Sequence, residues 1–511
     1  MSTSTLDRRE FLQQSLTVAG VAGLGLYASA CSPDVLTPNA DLHTTAPAVA
    51  GDLAEPSVIA SVGGRLKTAI FAQTQPTSVA GRTVAEPVTY NATLPAPTLR
   101  VRPGDWVDLT FTNRIVFDQA DTKPGYGRPP RETNTTNLHY HGMHVSPVGT
   151  ADNMLVMVAP NASFRYFFQI PFNHPAGLFW YHAHVHGLVT NHVGRGAAGM
   201  LYVENGYTDQ VARLGIRRRL LMLQQAYFAD DLRTLIPDDG NRDDPTKALS
   251  LINGQLLPDI RIRPGEPQVW SLLNASTSAF YLVRLAGHTF DVIAEDGIPL
   301  PAPRIGRETL LMPSAKRLEV VVRGNGTPGR YTLSYDAYNQ GVDTWPAKAV
   351  GTLVVEGQAW TGPAHPGVDV SGRPLDLSSG NIKKDRTRLI VLGQNNNVPE
   401  GEFGRFTING HAWDPSYSEW TSTLGTVEEW VFRNDTEQDH PMHVHVNPFQ
   451  VVRINDVPVA FDGYQDTAIV PRFGTLTVRT RFVDFSGGPI LIHCHILDHE
   501  DMGMMTRFEI A

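Results

Sequence analysis

Cysteine is nearly missing from this chain. Of 511 residues only Cys31 and Cys494 carry a thiol, and Cys31 lies in a segment expected to be removed or lipidated, so a disulfide framework is excluded for the mature protein. Charge is also sparse: 18% of residues are charged, with a formal net charge of −9. The absence of a basic field argues against nucleic acid or an anionic membrane surface as the main partner. Long apolar runs are lacking too. The best candidate, from about Leu16 to Tyr27, is too short and too rich in Gly and Thr to span a membrane. What the chain does have is turn residues, with Gly 45 and Pro 37. They point to many short strands and an all-β fold. A mass of 56.0 kDa exceeds what one core supports and suggests about three domains.

The first 30 residues read as an address. Arg8-Arg9-Glu10-Phe11-Leu12 before the apolar run resembles a twin-arginine signal, whose pathway exports folded proteins. Ala28-Ser29-Ala30 fits cleavage after Ala30, giving a soluble periplasmic or secreted product; a lipid anchor at Cys31 is the alternative. A free Cys494 in an oxidising compartment is best protected by a metal. Residues 31–55 are rich in Pro, Ala, Thr and Asp and read as a linker.

An internal repeat follows. Pro97-Thr98-Leu99-Arg100-Val101-Arg102-Pro103-Gly104-Asp105 is matched by Pro258-Asp259-Ile260-Arg261-Ile262-Arg263-Pro264-Gly265-Glu266, with Gly104 and Gly265 161 residues apart. Leu424-Gly425-Thr426 begins a weaker third copy 160 residues later. In every copy an Asn (Asn113, Asn274, Asn434) follows the Gly by nine residues, and Asn91, Asn253 and Asn409 precede the turn at similar distances. Agreement at three sites marks repeated architecture. The expected domains are 56–206, 207–358 and 375–511, with a Gly/Pro/Ser-rich linker over 359–374.

Chemistry concentrates in four segments. His493-Cys494-His495-Ile496-Leu497-Asp498-His499-Glu500-Asp501-Met502-Gly503-Met504 packs three imidazoles, a thiol and thioethers into twelve residues. A His2Cys set with a weak axial Met is the donor combination of a blue-copper site, so one further His must come from another segment. On a strand, side chains alternate, putting Cys494 on one face and His493 and His495 on the other. Two His-x-His pairs, His139-Tyr140-His141 and His182-Ala183-His184, and the run His440-Pro441-Met442-His443-Val444-His445 bring the clustered imidazoles to ten of the 18 histidines. A buried Cys beside satisfied histidines is the bland reading, and this density of donors outweighs it.

In this order and spacing the four segments resemble the copper signatures of the multicopper oxidases, and the three repeats match that family's three cupredoxin-like Greek-key β-sandwiches. The resemblance implies four copper ions. A type 1 ion would be held by His440, Cys494 and His499 with Met504 axial, and a type 2 ion by His139 and His443. A type 3 pair would take His141, His182 and His495 on one ion and His184, His445 and His493 on the other. It further implies one-electron oxidation of a small reducing donor coupled to reduction of O2 to water, by a monomer, with Glu500 and Asp152 as catalytic proton-handling carboxylates. A laccase-like oxidase of phenols leads. A Cu(I) or Fe(II) metallo-oxidase is the alternative, weakened because Met154 and Met157 and the group Met502, Met504 and Met505 are the nearest approach to a Met cluster. A non-enzymatic copper-binding envelope protein is the remote alternative. His144, His174, His186, His192, His288, His43, His365 and His411 fall outside the implied ligand sets.

Overall fold

A computed structural model describes residues 51–116, 134–228, 235–236, 245–364 and 374–511. The signal segment, Cys31, His43, His365 and most of the first linker lie outside the described residues. The chain is all-β, with only short helices among the described residues.

The repeat read from sequence becomes a repeated strand pair. Trp106–Arg114, Pro267–Asn274 and Val427–Asn434 are the alternating strands after each turn. Each lies parallel to an earlier strand, Arg65–Gln73, Arg217–Phe228 or Arg386–Gln394 respectively. Gly104, Gly265 and Gly425 all have positive φ (87°, 74° and 85°), a conformation that favours glycine. The asparagines do equivalent work. The amides of Asn113, Asn274 and Asn434 each donate to two backbone carbonyls. Their Oδ1 atoms accept the N–H two residues on. Asn91, Asn253 and Asn409, all left-handed, accept from Phe71, Met222 and Val391 through Oδ1.

Six large sheets form three pairs, and none mixes strands between pairs. The first pair joins a five-stranded and a four-stranded sheet, the middle pair a seven- and a five-stranded sheet, the third a six- and a five-stranded sheet. The first pair shares a core containing Leu66, Leu109, Phe111, Tyr140, Tyr181 and Leu201. The cores of the middle and third pairs join into one apolar cluster. Residues 51–55, read from composition as the end of a linker, are docked on the middle sheets. Leu53 N–H donates to Asp259 O at 2.8 Å, Ala54 N–H to Gln255 Oε1 at 2.7 Å, and Glu55 pairs with Arg219 at 3.1 Å.

Candidate metal centre

The first and third sheet pairs meet at the donor segments. His139–His141 is an edge strand paired with Gly177–His182, His139 opposite His182 and His141 opposite Trp180. Alternation therefore sends His139, His141 and His182 to one face and Tyr140 and Tyr181 into the first core. In the third pair, His440–Val444 runs antiparallel to Pro489–Cys494, with Met442 opposite Cys494 and His443 opposite His493. His440 thus shares the face of Cys494, and His443 shares that of His493. The strand ends at Cys494, and the short helix Leu497–Asp501 then turns back and returns His499 to the thiol. A strand pattern alone could not have placed His499.

Two separate donor groups result. In the first, His499 Nδ1 lies 3.2 Å from His440 Nδ1, and Cys494 Sγ is 3.5 Å from the His440 and 3.8 Å from the His499 nitrogen. All three residues are fully buried. Ile496 N–H donates to the sulfur, and Met504 is tied in through Cys494 N–H to its carbonyl and its own N–H to His499 O. Phe406 stacks on the His499 ring at 3.9 Å. The outer His440 nitrogen, Nε2, bonds Thr436 Oγ1 at 2.7 Å. Two short strands from the middle part of the chain, Tyr338–Asn339 and Thr344–Trp345, pair with each other and lie over this loop: Tyr338 donates to Asp439 and Gln340 O accepts from Asp439 N–H.

The second group holds eight imidazoles. His139, His141, His182, His184, His443, His445, His493 and His495 are all buried and fall into overlapping triads whose ring nitrogens lie within 4.8 Å of one another. His493 Nε2 is 3.3 Å from His184 Nε2 and 3.1 Å from His445 Nε2. The Nε2 atoms of His139, His141, His182, His443 and His495 have no hydrogen-bond partner among the described residues. Buried polar groups are ordinarily satisfied, so this concentration of orphaned nitrogens fits bound metal. Burial also holds the rings neutral, as ligation needs: His184 and His493 are lowered to about 4, and His139, His141, His182, His445 and His495 fall well below the usual range. The chemistry of both sets suits copper.

Carboxylates lie beside several of the ring nitrogens. Asp152 lies 3.0 Å from His139 Nδ1 and accepts Tyr140 N–H; burial pushes its carboxyl up to about 7. Glu500 Oε2 lies 3.0 Å from His493 Nδ1, and Oε1 lies 3.5 Å from His184 Nδ1. His493 Nδ1 itself bonds Cys494 O at 3.1 Å, and Glu500, fully buried, is raised to about 7 by desolvation. Sequence reasoning missed two further acids. Asp501 accepts from Gly187 and Thr190 N–H at 2.6 and 2.8 Å, joining Val189–Gly194 to the helix of His499. Asp466 lies 3.4 Å from His443 Nδ1 and 3.5 Å from His141 Nε2. Asp501 had a signal in its place next to Glu500; Asp466, 21 residues past His445, had none. Outside the donor groups, His144 pairs with Asp484 at 3.0 Å, His174 accepts His144 N–H, and His288 packs on Tyr331.

Multicopper oxidase family models match residues 131–207, 179–358 and 384–511. The chain belongs to the multicopper oxidases. It is 23% identical over 432 residues to a multicopper oxidase of Staphylococcus haemolyticus, covering 83% of each chain. It is 24% identical over 476 residues to a laccase of Bacillus stratosphericus, covering 83% of this chain and 90% of that one. Among solved structures, a multicopper oxidase from Campylobacter jejuni described as a metallo-oxidase superposes with a TM-score of 0.72 at 22% identity, over 90% of this chain and 95% of that one. This multicopper oxidase is a copper-dependent oxidoreductase with a cupredoxin fold, and the family uses O2 and a reducing substrate. None of its helices among the described residues is long and apolar enough to cross a membrane.

Proposed function

We propose that this multicopper oxidase couples one-electron oxidation of a small phenolic or aromatic donor to reduction of O2 to water, four donors and four protons being consumed per O2. The observation that carries the reading is the pair of donor groups joined at one residue: Cys494 belongs to the His440/His499 group, while its neighbours His493 and His495 belong to the eight-imidazole group. Type 1 copper is assigned to His440, Cys494 and His499 with Met504, and type 2 to His139 and His443. The type 3 pair is assigned to His141, His182 and His495 on one ion and His184, His445 and His493 on the other, four ions in all. The triads of nitrogens and sulfur support those assignments.

Bound copper would supply the one-electron steps and the site of O2 reduction. The protein residues position and proton-load that chemistry. Asp152 and Cys494 O hold the His139 and His493 rings by their Nδ1 atoms. Glu500 and Asp152, both raised to about 7, retain a proton near neutrality and release it readily, as a proton donor to forming water must. The buried walls keep bulk solvent from both groups.

Domains at 56–206, 207–358 and 375–511 are supported by the three sheet pairs, and we assign export from the twin-arginine-type leader and a monomeric state. Oxygen uptake by the copper-loaded protein, measured against phenols, a dye donor, Cu(I) and Fe(II), tests the substrate. Turnover of phenols above the metal ions is expected; the reverse order overturns the phenolic assignment. One observation favours that second reading, a metallo-oxidase: Met154 packs against a cluster holding Met505 and Trp413, so two thioethers distant in sequence border one apolar patch.

A further inference from the structure

The middle sheets carry no donor segment, yet they reach the imidazole group. Thr467, the first residue of the strand Thr467–Val470, sits opposite His443, and Asp466 directly precedes it. Together they surround His443 Nδ1 with three acceptors: Asp466 O at 2.9 Å, Thr467 Oγ1 at 3.3 Å and Asp466 Oδ1 at 3.4 Å. Every other polar handle of this dipeptide is gripped from the middle sheets. Asp296 Oδ2 accepts both backbone N–H groups at 3.1 and 3.2 Å. Lys316 Nζ donates to Thr467 O at 2.6 Å. Arg317 makes a two-pronged bond to the Asp466 carboxylate, at 2.8 Å through Nη1 and 2.5 Å through Nη2.

Arg317 is itself immobilised. It is fully buried, and its remaining donors go to Ala315 O, Asp296 O and, in the first sheet pair, Leu178 O. It also lies against the backbone of Gly142, the residue after His141, where a Cβ would fall on Arg317 Nη2 and Asp466 Oδ2. The glycine of His-x-His-Gly is thus required by an ion pair whose arginine comes from another domain. A bidentate Arg–carboxylate pair fixes geometry as well as charge.

We propose that Arg317 is a positioning residue for the type 2 copper: by clamping Asp466 it holds the His443 ring, so the middle domain sets the affinity of a site to which it gives no ligand. The inference rests on the type 2 assignment made above. Loss of such an outer contact typically weakens metal binding about 10–100-fold.

The test is copper stoichiometry and electron paramagnetic resonance of the copper-loaded variants. Arg317→Met and Asp466→Asn are each expected to lose the type 2 signal and one copper per chain on dialysis while the blue type 1 band stays. Arg317→Lys should retain part of the signal. Glu319→Gln, on the middle-sheet strand Arg317–Arg323, removes a carboxylate that accepts from Tyr202, Tyr207 and Ser271; it should lower thermal stability with the type 2 signal intact. Full type 2 occupancy in Arg317→Met, or parallel loss of type 1 and type 2 signals in it, overturns the proposal. If Arg317→Met does not fold, undiminished type 2 affinity in Asp466→Asn and Arg317→Lys overturns it equally. A wild-type protein with no type 2 signal would instead refute the assignment beneath it.

Discussion

Cys494, fully buried between two imidazoles of a different group, is where substitution should separate the two halves of the chemistry. Cys494→Ser is expected to abolish the blue absorption and donor oxidation while leaving copper in the imidazole group; a surviving blue band refutes the type 1 assignment. Glu500 gives a pH test in the copper-free protein. Its folded value, about 7, is raised above the ordinary 4.5, so the folded state holds a proton that the unfolded chain has lost. Stability from this group is present below about pH 4.5, falls as pH rises towards 7, and is then lower by about 3 kcal/mol. Glu500→Gln should therefore gain stability relative to wild type between pH 5 and pH 8, read by calorimetry; a pH-independent difference rules the buried acid out. In the loaded enzyme the same variant should slow O2 reduction with the blue band unchanged. Glu500 was legible in sequence because it follows a donor histidine. Asp466 and Arg317 were not, since a contact across 149 residues leaves no local pattern.

Strand periodicity made the faces within a segment readable, Cys494 on one side and His493 on the other. That His440 joins Cys494 and His443 joins His493 was implied in sequence by the family resemblance alone, and it is the register of the two strands that pairs those faces. Periodicity stopped being informative at Cys494, where a helix of five residues, Leu497–Asp501, sets His499 instead. The repeated asparagines were visible only as spacing, and their hydrogen bonds explain it. Asn274→Ala and Asn434→Ala each take an amide donor away from two buried carbonyls and should cost about 2–4 kcal/mol in denaturant unfolding. Only Asn434→Ala should also shift the blue band, because Asn434 Oδ1 holds Thr436, whose hydroxyl bonds His440. Equal spectra for the two variants would show that this loop does not tune the type 1 site.

Across the molecule, the imidazole group is a cross-link between the first and third sheet pairs, four rings coming from each. Metal bound only by the folded state stabilises it by mass action, about 4 kcal/mol at a thousandfold excess over the dissociation constant. Chelation should accordingly lower the unfolding temperature, and restoring copper should raise it; an unchanged temperature would mean that the ions do not bridge the two pairs. The ribosome makes His139 more than 350 residues before His495. No growing chain can therefore hold the complete imidazole group until its third sheet pair exists, so filling that group is a late event that reports on correct assembly of the whole protein.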